Sequence, residues 1–144
     1  LYDLYCGYGL FVIAYADRAG RVIGADIAPA AIEAAVRTVE HLAIRNARFL
    51  RSDLTGASLA SIVHRAGEDD LVLLDPPRSG TAEGVIEAVA GRRCRRIVHL
   101  FCNIEVMPAE ARRYQAEGYR LAEAVPFDMF PGTSAVEIAG VFVR

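Results

Sequence analysis

The end of the chain constrains its fold more than any other stretch. Two strand-like runs, YRLAEAVPFDMF (119–130) and SAVEIAGVFVR (134–144), follow one another with only a short loop between them. A parallel pair needs a long crossover, so these two runs must pair antiparallel. Everything before them alternates. Strands are expected at 1–6, 21–26, 47–53, 70–75 and 95–102, and helices at 10–20, 29–44, 56–67, 80–92 and 108–118. Gly20 stands at a helix end, Pro29 and Pro108 at helix starts, and Pro76 and Pro77 stop a strand, because proline has no N–H for a ladder. Strand–helix alternation predicts a parallel sheet with helices on both faces. The expectation is therefore an α/β fold, mostly parallel, closed by a C-terminal antiparallel hairpin.

In such sheets ligands sit beyond the carboxyl ends of the strands. The residues to inspect are Asp3 to Gly9, Asp26, Asp53, Asp75 to Arg78, and Cys102 with Asn103. All but the last of these ends carry a carboxylate, a regularity that surface chemistry alone would not produce. Gly7 and Gly9 permit a tight turn and a close backbone approach. A dinucleotide fingerprint would place a third glycine at position 12, where this chain has Val12. Asp26 can accept hydrogen bonds from ribose hydroxyls, and Asp53 one from an adenine amino group. Both could also be simple turn formers. An acid-rich rim disfavours a polyphosphate and suits a cation. S-adenosylmethionine, with a sulfonium, an ammonium and no phosphate, meets that requirement.

Composition narrows the remaining classes. The 144 residues, 53% hydrophobic and 24% charged, suit one globular domain over 1–144. The chain opens inside a strand-like run, so a piece of a longer protein is expected, with its N-terminal part missing. No apolar run approaches the roughly 18 residues of a membrane span. The net charge of −2 argues against a wholly basic nucleic-acid binder. One basic cluster, GRRCRR, holds Arg92, Arg93, Arg95 and Arg96. It reads as a solvated turn or as a local phosphate contact. Cys6, Cys94 and Cys102 have no metal-ligand spacing, so no metal is expected, and three unpaired thiols fit a reducing cytoplasm. His41, His64 and His99 read as structural or surface residues.

The fourth strand ends in DPPRSG. Base amino-methylases often carry an acid-Pro-Pro-aromatic motif there, with the ring stacked on a flipped base. Arg78 in the aromatic position argues against amino-group methylation. At DLYCGYG, DPPRSG, FCN and DMFPGT followed by Glu137, the chain resembles the RNA uracil-5 methyltransferases over almost its whole length. The resemblance implies a Rossmann-like class I methyltransferase sheet and an RNA substrate, tRNA or rRNA. It implies Cys102 as the nucleophile that adds to uracil C6 and Glu137 as the base that removes the C5 proton. Asn103 would meet the uracil edge, and Asp75 and Arg78 would position the base. Asp3, Tyr5, Gly7, Gly9, Asp26, Asp53 and Asp75 would hold the cofactor. The chain departs from the family pattern at Leu10, Phe101, Ile104 and Ala135. A methyltransferase acting on another nucleobase or a small molecule is an alternative. So is a non-catalytic module that binds RNA or S-adenosylmethionine, with Cys102 a buried small hydrophobe.

Overall fold

The computed structural model describes residues 1–133 and 135–144. Ser134, the first residue of the last expected strand, lies outside them. Seven strands are described: β1 (Tyr2–Leu4), β2 (Val22–Asp26), β3 (Ala47–Arg51), β4 (Leu71–Leu74), β5 (Arg96–Phe101), β6 (Arg120–Phe127) and β7 (Glu137–Val143). Between them run α1 (Leu10–Tyr15), α2 (Pro29–His41), α3 (Gly56–Ile62), α4 (Val85–Ala90) and α5 (Met107–Ala116). The strands form one sheet in the order β3-β2-β1-β4-β5-β7-β6. The first five pair in parallel, and β7 runs antiparallel to both β5 and β6. The expected hairpin is present, with its second strand inserted between β5 and β6.

Alternation along each strand sends its residues to two layers. Tyr2, Leu4, Val72, Leu74, Ile97 and Phe101 face a core that α3, α4 and α5 complete with Leu59, Ile86, Val89 and Tyr114. The opposite face meets α1 and α2 over β2 and β3. There the Phe49 ring packs closely against the glycines of the first turn and of β2. A Cβ on Gly9 would stand 2.6 Å from the Phe49 ring, and Gly9 also has φ +79°. Only glycine meets both demands at the entry to α1.

Three helices are shorter than their apolar spacing predicts, and one of them, α3, expected to run to residue 67, stops at Ile62. α1 stops at Tyr15 because Asn46, far along the chain, donates Nδ2 to the carbonyls of Ala16 and Ala19, both at 2.7 Å. Those carbonyls need no further helical turn. α4 begins only at Val85, after Gly84 at φ 78°, because Thr81 is pulled away toward α5. The other elements lie within a few residues of expectation. Among the described residues, no helix is long and apolar enough to cross a membrane.

Candidate active site

The order of strands reverses between β1 and β4, so the loops after them diverge and leave a crevice. A cavity of about 700 Å³ opens there. Its walls include Tyr5, Asp26, Asp53, Asp75, Pro76 and Thr81, and no lysine, arginine or histidine. Acid without compensating base sets a negative potential, the field a cationic ligand requires.

The turn after β1 is built from left-handed residues. Tyr5, Gly7 and Gly9 have φ of 64°, 51° and 79°. Asp26 pins this turn: its Oδ2 accepts from the Gly7 N–H and its Oδ1 from the Ala28 N–H, both at 2.8 Å. Asp26 thus has a structural duty that spacing alone did not reveal. Each oxygen keeps a further lone pair for a ligand hydroxyl. Asp3 is different. It is wholly buried on the α1 side, and neither carboxylate oxygen has a hydrogen-bond partner. Burial raises its pKa to about 7, with the nearby amide of Val12 pulling the other way and Asp75 and Asp26 adding like charge. The Tyr5 hydroxyl is also buried and unpartnered.

Beyond β4 and β5 lie the remaining candidates. Phe101 pairs with Ile138 in the β5–β7 ladder. Continued by one residue, that register sets Cys102 opposite Glu137 on the neighbouring strand. The Cys102 sulfur stands 3.8 Å from the Pro76 carbonyl oxygen, which accepts from the thiol. Its pKa is raised by burial first, then by the charges of Asp75 and Glu137, with Arg78 opposing. Asp75, though open to solvent on one side, is itself raised by partial burial and then by Glu137. So Cys102, Asp75 and Glu137 share one electrostatic neighbourhood.

Asn103 does bracing work. Its Nδ2 donates to the Arg78 carbonyl at 3.1 Å, and its Oδ1 accepts from the Glu105 N–H at 3.1 Å. It ties the loop after β5 to the Pro-Pro-Arg turn after β4. The Arg78 side chain is exposed. Phe101 does not enter the site: alternation turns it into the core, stacked on His99 at 4.0 Å. Cys94 is fully buried and Cys6 nearly so, and burial raises both thiols. In the basic cluster, Arg92 donates to the Ala60 carbonyl and Arg95 pairs with Glu68 at 3.3 Å.

One set of residues has no signature in the sequence. Glu110 on α5 is buried, and its Oε1 accepts from Thr81 N–H at 2.7 Å and from Thr81 Oγ1 at 2.6 Å. A Cβ on Gly80, at φ +83°, would approach that oxygen to 2.8 Å. Arg113 donates to Thr81 Oγ1 at 3.1 Å and to Glu87 at 2.7 and 2.8 Å. Beneath, His99 has its pKa lowered to about 3, by burial and then by Arg113, and is neutral. Its Nδ1 lies 3.2 Å from the Tyr114 hydroxyl, and its Nε2 faces Glu110 at 3.3 Å, off the line of a full hydrogen bond. The tautomer that suits both neighbours carries its proton on Nε2. Together these residues hold the cavity wall at Gly80 and Thr81.

The family described as tRNA (Uracil-5-)-methyltransferase matches residues 1–144. The chain is 36% identical over 140 residues to a 23S rRNA (uracil(1939)-C(5))-methyltransferase RlmD of Pseudomonas putida, covering 97% of this chain and 30% of that protein. It is 40% identical over 143 residues to the RlmD of Alkalilimnicola ehrlichii, covering 99% and 32%. Among solved structures, the tRNA (uracil-54, C5)-methyltransferase of Pyrococcus abyssi, in complex with S-adenosyl-L-homocysteine, superposes with a TM-score of 0.77 at 31% identity, over 99% of this chain and 33% of that one. The chain spans about a third of the length of these relatives.

Proposed function

We propose, from the premise that this chain belongs to the tRNA (uracil-5-)-methyltransferase family, that residues 1–144 form the catalytic domain of an enzyme that methylates C5 of a uridine in tRNA or rRNA. The observation that carries the reading is the β5–β7 register, which brings Cys102 and Glu137 to one end of the sheet beside Asp75.

S-adenosylmethionine supplies an electrophilic methyl group on a sulfonium. The residues present fit it. The cavity wall has three carboxylates and no cation. Asp3, buried and unpartnered, does not itself line that cavity. Asp26 and Asp53 would take the ribose and adenine, and Tyr5, Gly7 and Gly9 the close backbone approach.

Uracil C5 is a weak carbon nucleophile. Cys102 sulfur adds to C6, and the C5–C6 electron pair moves onto the C4 oxygen as an enolate. C5 then bonds to the transferred methyl. Glu137 removes the C5 proton, the C5–C6 double bond re-forms, and the Cys102–C6 bond breaks. The resting thiol is held protonated by burial and by two like charges, so its proton must leave as the base arrives. Of the two carboxylates within electrostatic reach, Asp75 would take that proton, which leaves Glu137 unprotonated for the C5 step. Asn103 and Arg78 shape the turn against which the base would seat.

A 5-fluorouridine RNA tests the reading, since fluorine at C5 cannot be taken as a proton and the adduct is trapped. With S-adenosylmethionine, the enzyme should form a protein–RNA band stable to denaturant and lost on RNase treatment. Cys102→Ala should form none and should lose methyl transfer on the order of 10⁴-fold. An adduct that survives Cys102→Ala would assign the nucleophile elsewhere, and no adduct in the wild type would favour a binding module.

A further inference from the structure

A second recess lies away from the methyl-transfer cavity. Tyr2, Ile23 and Arg48 are register partners across β1, β2 and β3, so all three face the α3 side of the sheet. α3 packs its Leu59 into the core and stops at Ile62. The edge of the sheet beyond it stays open, and Arg48 and Leu50 are exposed there. The result is a groove of about 490 Å³ with Ile23 and Leu50 on its floor and Arg21, Arg48, Arg65 and His64 on its walls. No aspartate or glutamate lines it. Among the described residues, none of these three arginines makes an ion pair with a carboxylate. Arg21 is held toward the groove by a 3.2 Å hydrogen bond to the hydroxyl of the buried Tyr2. Asp70, which acts electrostatically on Tyr2, already accepts from the Gly67 N–H at 3.0 Å.

Three unpaired guanidiniums converging on one recess are unusual in a chain of net charge −2. Like charges gathered without a counterion repel, so the arrangement favours an anion. The planar fork of arginine matches phosphate oxygens, and an apolar floor accepts a ribose or base face. We infer that this groove binds the phosphate backbone of an RNA strand, a second contact point outside the reaction cavity. The inference rests on the RNA substrate named above. The groove sits near the amino ends of the strands and the cavity at their carboxyl ends. From Arg48 to Asp53 the chain covers about 16 Å if extended. A folded RNA held in the groove would therefore present a different segment to Cys102. Phosphate contacts fix register and orientation and carry no base specificity.

The test is fluorescence anisotropy of a labelled, uridine-containing single-stranded RNA with the 144-residue chain, across a salt series. Each phosphate contact to a single strand contributes about −0.7 to the log–log salt slope. Arg48→Ala with Arg65→Ala should flatten the slope by about 1.4 and weaken binding at least about tenfold. The thermal midpoint and the affinity for S-adenosylhomocysteine should not change, since both side chains are exposed. A control pair on other faces, Arg37→Ala with Arg112→Ala, should leave binding within about twofold, as surface charges far from a site do. Equal weakening by the control pair, an unchanged slope in the groove pair, or no RNA binding by the wild type would overturn the inference. So would displacement of the RNA by sub-millimolar inorganic phosphate, which would make the groove a small-anion site. The fluorouridine adduct on the same samples separates the two readings. Groove-dependent binding without an adduct would overturn the Cys102 chemistry alone, and an adduct indifferent to the groove pair would overturn the groove alone.

Discussion

The two halves of the sheet's carboxyl rim treat their acids in opposite ways. On the side of β1 and β2, Asp26 spends both oxygens on backbone amides and so holds the glycine turn in shape. On the side of β4, β5 and β7, the side chains of Asp75 and Glu137 accept no hydrogen bond among the described residues, and after burial their charges raise the Cys102 thiol further. At Asp26 the first half is already braced before any ligand arrives. The second is left with unmet charge. A cofactor half needs a fixed shape, because hydroxyls and an amino group are recognised by direction. A chemical half needs acids whose oxygens are free to meet a substrate. Asp3 lies between these cases: fixed by burial, yet unsatisfied.

The largest expected effect tests the reactive half. Glu137→Gln removes a proton acceptor but keeps shape and register. Turnover should fall by about 10²–10⁴-fold, while the thiol adduct still forms and now accumulates with natural RNA. Denaturing gels and single-turnover methyl transfer measure the two separately. Wild-type turnover without accumulation would remove Glu137 from the base role and dissolve the contrast.

The next effect belongs to Asp3 and has a definite pH sign. Its pKa is near 3.8 when unfolded and about 7 when folded. The folded chain therefore binds the proton more tightly, and this group's contribution to stability falls as pH rises from about 4 to about 7. Asp3→Asn removes that dependence. The variant should gain stability over the wild type at pH 8 relative to pH 4, by about 2–4 kcal/mol. It should also lose cofactor affinity. Denaturant melts at the two pH values provide the check. Equal differences at both pH values would mean that the buried acid finds a partner in solution.

The smallest effect is on Asp26. Asp26→Ala should cost about 1–3 kcal/mol in cofactor binding, read by calorimetry. It should also destabilise the chain by a similar amount, because the Gly7 and Ala28 amides lose their acceptor. An affinity loss with no loss of stability would show that the turn holds itself, and would place the duty of Asp26 on the ligand alone.

Much of this site was legible in one dimension. Strand ends announce themselves by apolar runs that stop at Asp, Pro or Gly, and the acids of the cavity all stand at such ends. Gly9 was legible as a turn residue, though not the contact with Phe49 that forbids a side chain there. Spacing overextended α1, α3 and α4. Periodicity records which residues would prefer a helix, and cannot see Asn46 or Glu110 drawing the backbone away. Phe101 looked like a change beside Cys102; strand alternation makes it a core residue with its ring against His99.

The sequence by itself determined the local order: an alternating chain with a terminal hairpin, a glycine turn, and acids where strands end. These follow from steric and burial rules that act over a few residues. Only the tertiary structure decided that β7 slips between β5 and β6, and with it that Cys102 and Glu137 share one end of the sheet. The same is true of the Glu110 wall and the arginine groove. Each joins residues far apart in sequence, and which distant groups meet depends on how whole elements share one core. No local pattern carries that information, because the free energy that selects it belongs to the packed sheet and helices together.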